Sequence, residues 1–247
     1  MDFPFVLFIV SVLGLHLSWR VGRKLRKQQL SEDDYQDFST INGALLTLLG
    51  LLIGFTFSMA VSRYDQRKNY EEEEANAIGT EYVRIELLPA ANAATMQPIL
   101  RRYLEQRVLF YTARNEEKLL KIDAETTRLQ TQMWAEVRSG AAAQPSPPVA
   151  LAVSGLNDVL NRQGYTQAAW LNRIPTDVWI LMALIAICST TLMGYATHTS
   201  GKLVSWVLPL AVSISFLLIA DIDSPRGGII RVQPQNLTIL YESLRQH

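Results

Sequence analysis

Four stretches of the chain carry no Asp, Glu, Lys or Arg: residues 3–19, 38–62, 178–201 and 203–220. Each approaches the roughly 20 residues that an α-helix needs to cross the hydrocarbon core of a bilayer. Buried helices of soluble proteins are usually shorter and polar along one face, so the pattern predicts four transmembrane helices. The first run is the shortest. "MDFPF" lacks the positive n-region and "HLSWR" the small-residue cleavage site of a secretory signal, so an uncleaved membrane helix is expected there. Gly43, Gly50 and Gly54 keep the second run slim enough for close approach of another helix.

The second run does not stop where its apolar residues stop. Residues 50–79, "GLLIGFTFSMAVSRYDQRKNYEEEEANAIG", pass from apolar to densely charged without a proline, which predicts one helix continuing out of the lipid into water. Beyond it apolar positions recur at helical spacing. Ala75, Ile78, Tyr82 and Ile85 form one stripe, Ile99, Tyr103, Val108 and Tyr111 another, and Leu119, Ile122, Leu129, Met133 and Val137 a third. No segment alternates with a strand period. Prolines 145, 147 and 148 make residues 139–150 a predicted loop, followed by an amphipathic helix over 151–172 and a helix start at Pro175. The expected fold class is therefore all-α and integral to the membrane. Residues 1–62 form the first membrane pair, 63–173 a helical extramembrane domain containing the proline-rich loop, and 174–247 the second pair with a C-terminal tail.

Composition removes most chemistry. The only histidines are His16, His198 and His247 and the only cysteine is Cys188, which leaves no metal-ligand spacing, Cys/His nucleophile pair or disulfide. No phosphate-binding glycine loop, zinc-protease helix or nucleophile elbow occurs, so neither an enzyme nor a cofactor is expected. His16 reads as a packed residue of the first membrane helix. The 23 Lys and Arg balance the 23 Asp and Glu, and "RVGRKLRK" is the one basic tract, which speaks against a nucleic-acid partner. Asp221 and Asp223 are the only candidates for a metal. Two carboxylates fall short of the six to eight oxygens calcium takes, so a polar membrane boundary with a Pro-Gly turn is the expected role. "EEEE", Glu71 to Glu74, reads as a solvated helix face, with Arg67 and Lys68 one turn earlier.

"LLIGFTFSMAVSRY" resembles the second transmembrane segment of bestrophins through Gly54, Phe55, Arg63 and Tyr64. "EEEEANAIGTEYVR" and "DIDSPRGG" are more similar still to the bacterial bestrophin-like family. The resemblance implies a homo-oligomeric ion channel, pentameric in bestrophins, with the second helices around the axis. It implies a pore neck at Phe55, Leu51 and Thr47, spaced to share one helical face, and a vestibule lined by Arg63, Arg67, Lys68, Glu71, Glu72, Glu73 and Glu74. Rings of Leu51 and Phe55 would close such a pore by dewetting.

Anions are the permeant species the resemblance implies, while a ring of glutamates would favour cations. The expected partners are the lipid bilayer, further copies of the chain and the permeant ions; the expected location is the bacterial inner (plasma) membrane. Orientation is drawn two ways. Arg20, Arg23, Lys24, Arg26 and Lys27 after the first helix would put that loop in the cytoplasm by the positive-inside rule. The bestrophin arrangement puts the central domain there instead, and is the orientation expected here. The competing function is a non-conducting membrane scaffold or sensor whose central helices bind a protein.

Overall fold

The computed structural model describes residues 4–26, 31–197 and 204–246. His198, His247 and Lys27 lie outside the described residues. Among those described there is no strand, and the helices are α1 (Pro4–Leu25), α2 (Glu32–Arg84), α3 (Ala90–Thr112), α4 (Glu116–Ala143), α5 (Pro147–Leu171), α6 (Thr176–Ala196), α7 (Val204–Asp223) and α8 (Gln235–Arg245). The described part of each of the four apolar runs lies in or overlaps a helix long and apolar enough to cross a membrane. The protein is an all-α membrane protein.

Local chemistry sets the helix ends. Before α2, the Ser31 hydroxyl accepts from the Asp34 N–H at 3.1 Å while the Asp34 carboxylate accepts from the Ser31 N–H and hydroxyl. This reciprocal arrangement satisfies donors that a helix start leaves unpaired. With no proline inside, α2 runs for 53 residues. It closes through a short 3-10 turn, Ile85–Leu87, after which Leu88 is extended, as a residue before proline tends to be. The proline-rich loop is far shorter than expected. Alanines 141–143 extend α4, and Pro147 and Pro148 open α5, where the first turn needs no proline N–H, so only residues 144–146 connect the two helices.

The chain divides into two compact units, one from residues 1–63 and 173–231, the other from 64–172 and 232–247. The C-terminal tail therefore does not stay with the second membrane pair. In the second unit Leu237 of α8 is fully buried in the same core as Ile78, Ile85, Tyr103, Leu129 and Met133, the residues whose spacing marked the central helices.

In the first unit α1 packs against α6 and α7. The α1–α6 crossing is reciprocal: a Cβ on Gly22 would lie 2.0 Å from the Thr191 carbonyl oxygen, and one on Gly194 would lie 2.1 Å from that of Trp19. Backbone meets backbone at both points, the close approach small residues permit between membrane helices. Gly43, Gly50 and Gly54 have no such neighbour within the chain. Gly194→Ala is expected to force the helices apart, at a cost of about 1–3 kcal/mol, and to lower the thermal midpoint in detergent. Gly50→Ala should leave the unfolding of the isolated chain unchanged. Equal midpoints for Gly194→Ala and the native protein would rule out this crossing.

Candidate functional site

Within the first unit, the apolar part of α2 has two contrasting faces. Leu49, Thr56 and Ala60 are buried, 2%, 2% and 0% exposed, and the Thr56 hydroxyl lies 3.6 Å from the sulfur of Met182 on α6. At about 100° per residue, these three share one side of the helix. Thr47, Leu51 and Phe55 centre on the opposite side, and Leu51 and Phe55 are 54% and 64% exposed. The Thr47 hydroxyl donates to the Gly43 carbonyl at 2.9 Å, which spends its polarity on its own helix.

The end of α7 holds the two aspartates. The Asp221 carboxylate accepts from the N–H groups of Ile229 and Ile230 at 2.7 and 2.9 Å, folding "DIDSPRGG" back on the helix end. Gly228 is required there, because a Cβ would approach the Asp221 carbonyl oxygen to 2.3 Å. Asp223 accepts from the Ile174 N–H at 3.2 Å and lies 3.8 Å from the Arg63 guanidinium. Both carboxylates are thus occupied by the protein's own donors. No group of three or more His, Cys, Asp or Glu side chains placed to hold a metal occurs among the described residues.

In the second unit α2 continues as a charged helix with a buried seam, and the expectation of a seven-residue vestibule lining is corrected. Arg67, Glu71 and Glu74 are 1%, 1% and 0% exposed, so they face the core and not water. Arg63, in the first unit, is half-buried beside Asp223, and Glu73 pairs with Arg162 of α5. Lys68 and Glu72 remain exposed.

Each buried glutamate has a different occupation. Glu74 forms an ion pair with the fully buried Arg107 of α3, and its Oε2 accepts from the Thr166 hydroxyl at 3.0 Å and from Tyr111 at 3.5 Å. Arg107 lies over the Phe110 ring at 4.5 Å. Burial, the largest single influence, would lower the guanidinium pKa; the charge and hydrogen bond of Glu74 together with Tyr103 and Tyr111 outweigh it and the net direction is up. Burial, reinforced by Glu74, pushes the Tyr111 phenol well above its usual range. Glu71 accepts from the Leu237 N–H at 2.9 Å and the Asn236 amide at 2.7 Å, so it caps the first turn of α8. Its carboxyl is raised by burial, against the lowering effect of those hydrogen bonds.

Glu81 is the exception. It is fully buried, neither carboxylate oxygen has a hydrogen-bond partner, and burial pushes its pKa up to about 8, with Arg84 opposing and Asp158 of α5 adding to the rise. It sits over Gly155, whose absent side chain makes the room: a Cβ there would lie 2.0 Å from Glu81 Oε2. Because the folded-state pKa exceeds the free value of 4.5, the folded protein binds the extra proton. This contribution is complete below about pH 4.5 and is lost as pH rises toward 8. Glu81→Gln should abolish that loss, raising the unfolding midpoint at pH 9 by the equivalent of a few kcal/mol, on the order of the shift, with little change at pH 5. A parallel decline of native and variant proteins between those pH values would exclude Glu81 as the cause.

The sequence pattern marks neither Arg107 nor Thr166, and marks Tyr111 only as part of an apolar stripe. A usable signal exists: the Ile78 and Ile85 stripe, extended backwards in steps of three and four, passes through Glu74, Glu71 and Arg67.

Comparison with known proteins agrees with this architecture. The profile of the bestrophin-like domain family matches residues 7–237. A crystal structure of a variant bacterial bestrophin homolog from Klebsiella pneumoniae superposes with a TM-score of 0.62 at 16% identity, covering 97% of this chain and 98% of that one. A second variant of the Klebsiella homolog gives 0.61 at 15%, covering 98% and 97%. A further structure, described as a membrane protein, gives 0.66 at 15%, covering 96% and 97%. No curated protein matches significantly.

Proposed function

The chain belongs to the bestrophin-like domain family, and on that premise we propose that it is a bestrophin-type ion channel, passive and homo-oligomeric, with α2 lining the pore. The observation that carries the proposal is the uncovered face of α2. Thr47, Leu51 and Phe55 point away from the residues that α2 buries in its own unit. Beside them a Cβ on Gly43, Gly50 or Gly54 would meet no other part of the chain within 4 Å, which suits a neighbouring copy. Five copies, as in bestrophins, would turn this face into a narrow apolar neck that holds water poorly. Of the charges that follow in α2, Asp65, Lys68 and Glu72 are the exposed ones. Both signs are present among them, so anion conduction is taken from the bestrophin analogy.

The test is flux through purified protein in liposomes, with chloride and potassium gradients applied separately. Chloride flux is expected. Assembled rings that pass neither ion would overturn the channel reading, and a detergent-solubilised monomer or dimer would favour the scaffold. The same analogy orients 64–172 toward the cytoplasm of a bacterial inner membrane. A reporter active only outside the cytoplasm, inserted in the 144–146 connection, is expected to stay silent; strong activity would reverse the orientation.

A further inference from the structure

The proposed pore makes no use of the basic tract that follows the first apolar run. Its residues 20–25 form the last turns of α1, where Leu17, Trp19, Arg20, Val21, Arg23 and Lys24 line an open cavity of about 660 Å³. Arg20, Arg23 and Lys24 are exposed. Trp19 is 6% exposed, and the Arg23 guanidinium lies 5.6 Å from its ring centroid, which restrains that charge at the edge of the apolar segment. Trp19 is held in turn by His16, whose ring stacks on Trp206 of α7 at 3.9 Å and on Trp19 at 6.0 Å. These aromatics at a helix end are the usual anchors of the membrane-water boundary.

The apolar half of the same surface leads up to the charges. Val10, Leu13, Leu17 and Val21 are 60%, 60%, 59% and 45% exposed, and their spacing of three, four and four residues makes one stripe along α1. Lys24 continues that stripe, and Arg20 lies one turn beyond Leu17. An uncovered surface that is apolar through the bilayer and cationic at its border matches a molecule with an acyl chain and an anionic headgroup. A free anion matches only the cationic end. Acidic residues follow at Glu32, Asp33, Asp34 and Asp37 in the first turns of α2. Asp34 is engaged by Ser31.

We propose that this end of α1 is a binding site for anionic phospholipid, the headgroup phosphate held by Arg20, Arg23 and Lys24 and an acyl chain along Val10, Leu13, Leu17 and Val21. Such a site supplies a physical reason for a basic cluster on the side that the bestrophin orientation makes non-cytoplasmic, against the positive-inside tendency. The lipid neutralises the charges in place, whichever leaflet they face.

The test uses the full-length assembled protein in detergent, titrated with phosphatidylglycerol or phosphatidylcholine and read by native mass spectrometry. The native protein is expected to retain phosphatidylglycerol at least about tenfold more strongly, since each Lys or Arg near an anionic headgroup adds to its attraction. The Arg20→Gln, Arg23→Gln, Lys24→Gln triple variant should lose that preference. Lys118→Gln, Lys121→Gln, which removes exposed charge from α4, should keep it, and helical content with oligomer mass checks that both variants are assembled. Equal retention of the two lipids by the native protein, or an unchanged preference in the triple variant, would overturn the proposal. Displacement of the lipid by millimolar inorganic phosphate would also overturn it, reducing the site to one for small anions.

Discussion

Glu74→Gln is expected to destabilise the second unit by about 3–5 kcal/mol, the usual cost of stranding one member of a buried ion pair. Arg107→Met should cost clearly less. The asymmetry follows from what each residue is left with. Without the Glu74 charge, Arg107 stays fully buried and ionised, since a guanidinium does not release its proton in proteins, and its Nη1 already lacks a hydrogen-bond partner. Without Arg107, Glu74 keeps the hydroxyls of Thr166 and Tyr111 as donors. The double variant, neutral on both sides, should recover part of the loss from Glu74→Gln, giving a coupling energy well outside the few tenths of a kcal/mol seen for independent sites. Unfolding of the four proteins, followed by helical circular dichroism in one detergent, provides the cycle. Additive costs would mean that the pair does not hold α2 to α3.

Why the sequence showed the helices but not this cluster lies in what each signal depends on. A membrane run or an apolar stripe is a property of consecutive residues on one helix, so the four spans and the stripe through Ile78 and Ile85 could be read directly. Burial of a glutamate is set by other helices. Glu71 to Glu74 are four identical letters, yet Glu72 is exposed while Glu71 is covered by the start of α8 and Glu74 by α3 and α5. Reading all four as a solvated face missed that division. The proline-rich stretch departs from the expected loop for a local reason: two of its prolines occupy the first turn of a helix, where the missing N–H has no partner to lose. The tail failed for a tertiary one: nothing near residue 237 marks its side chain as part of a core built by α2, α3 and α4. The bestrophin resemblance carried the membrane framework, since Gly54 and Phe55 lie on one uninterrupted helix and "DIDSPRGG" in a turn fixed by Gly228 and backbone-directed aspartates.

The largest functional effect is expected at the α2 face. If Leu51 and Phe55 line a dewetted neck, truncating both to Ala should widen it, admit water and raise basal ion flux several-fold per assembled oligomer. Most large-to-small substitutions do the reverse, removing packing and with it the yield of folded protein. These two side chains are more than half exposed in the single chain, so their removal costs its own unit little. Ile53 is the internal control, since it is half-buried and in phase with Leu49, Thr56 and Ala60. Ile53→Ala should lower the amount of assembled protein and leave flux per oligomer unchanged. Flux is therefore normalised to the oligomer peak before the variants are compared. A rise for Leu51→Ala with Phe55→Ala but not for Ile53→Ala supports an axial position for that face. The same response at all three positions, or none at any, would move Leu51 and Phe55 away from the axis and leave their exposure to be covered by lipid or by a non-conducting subunit contact.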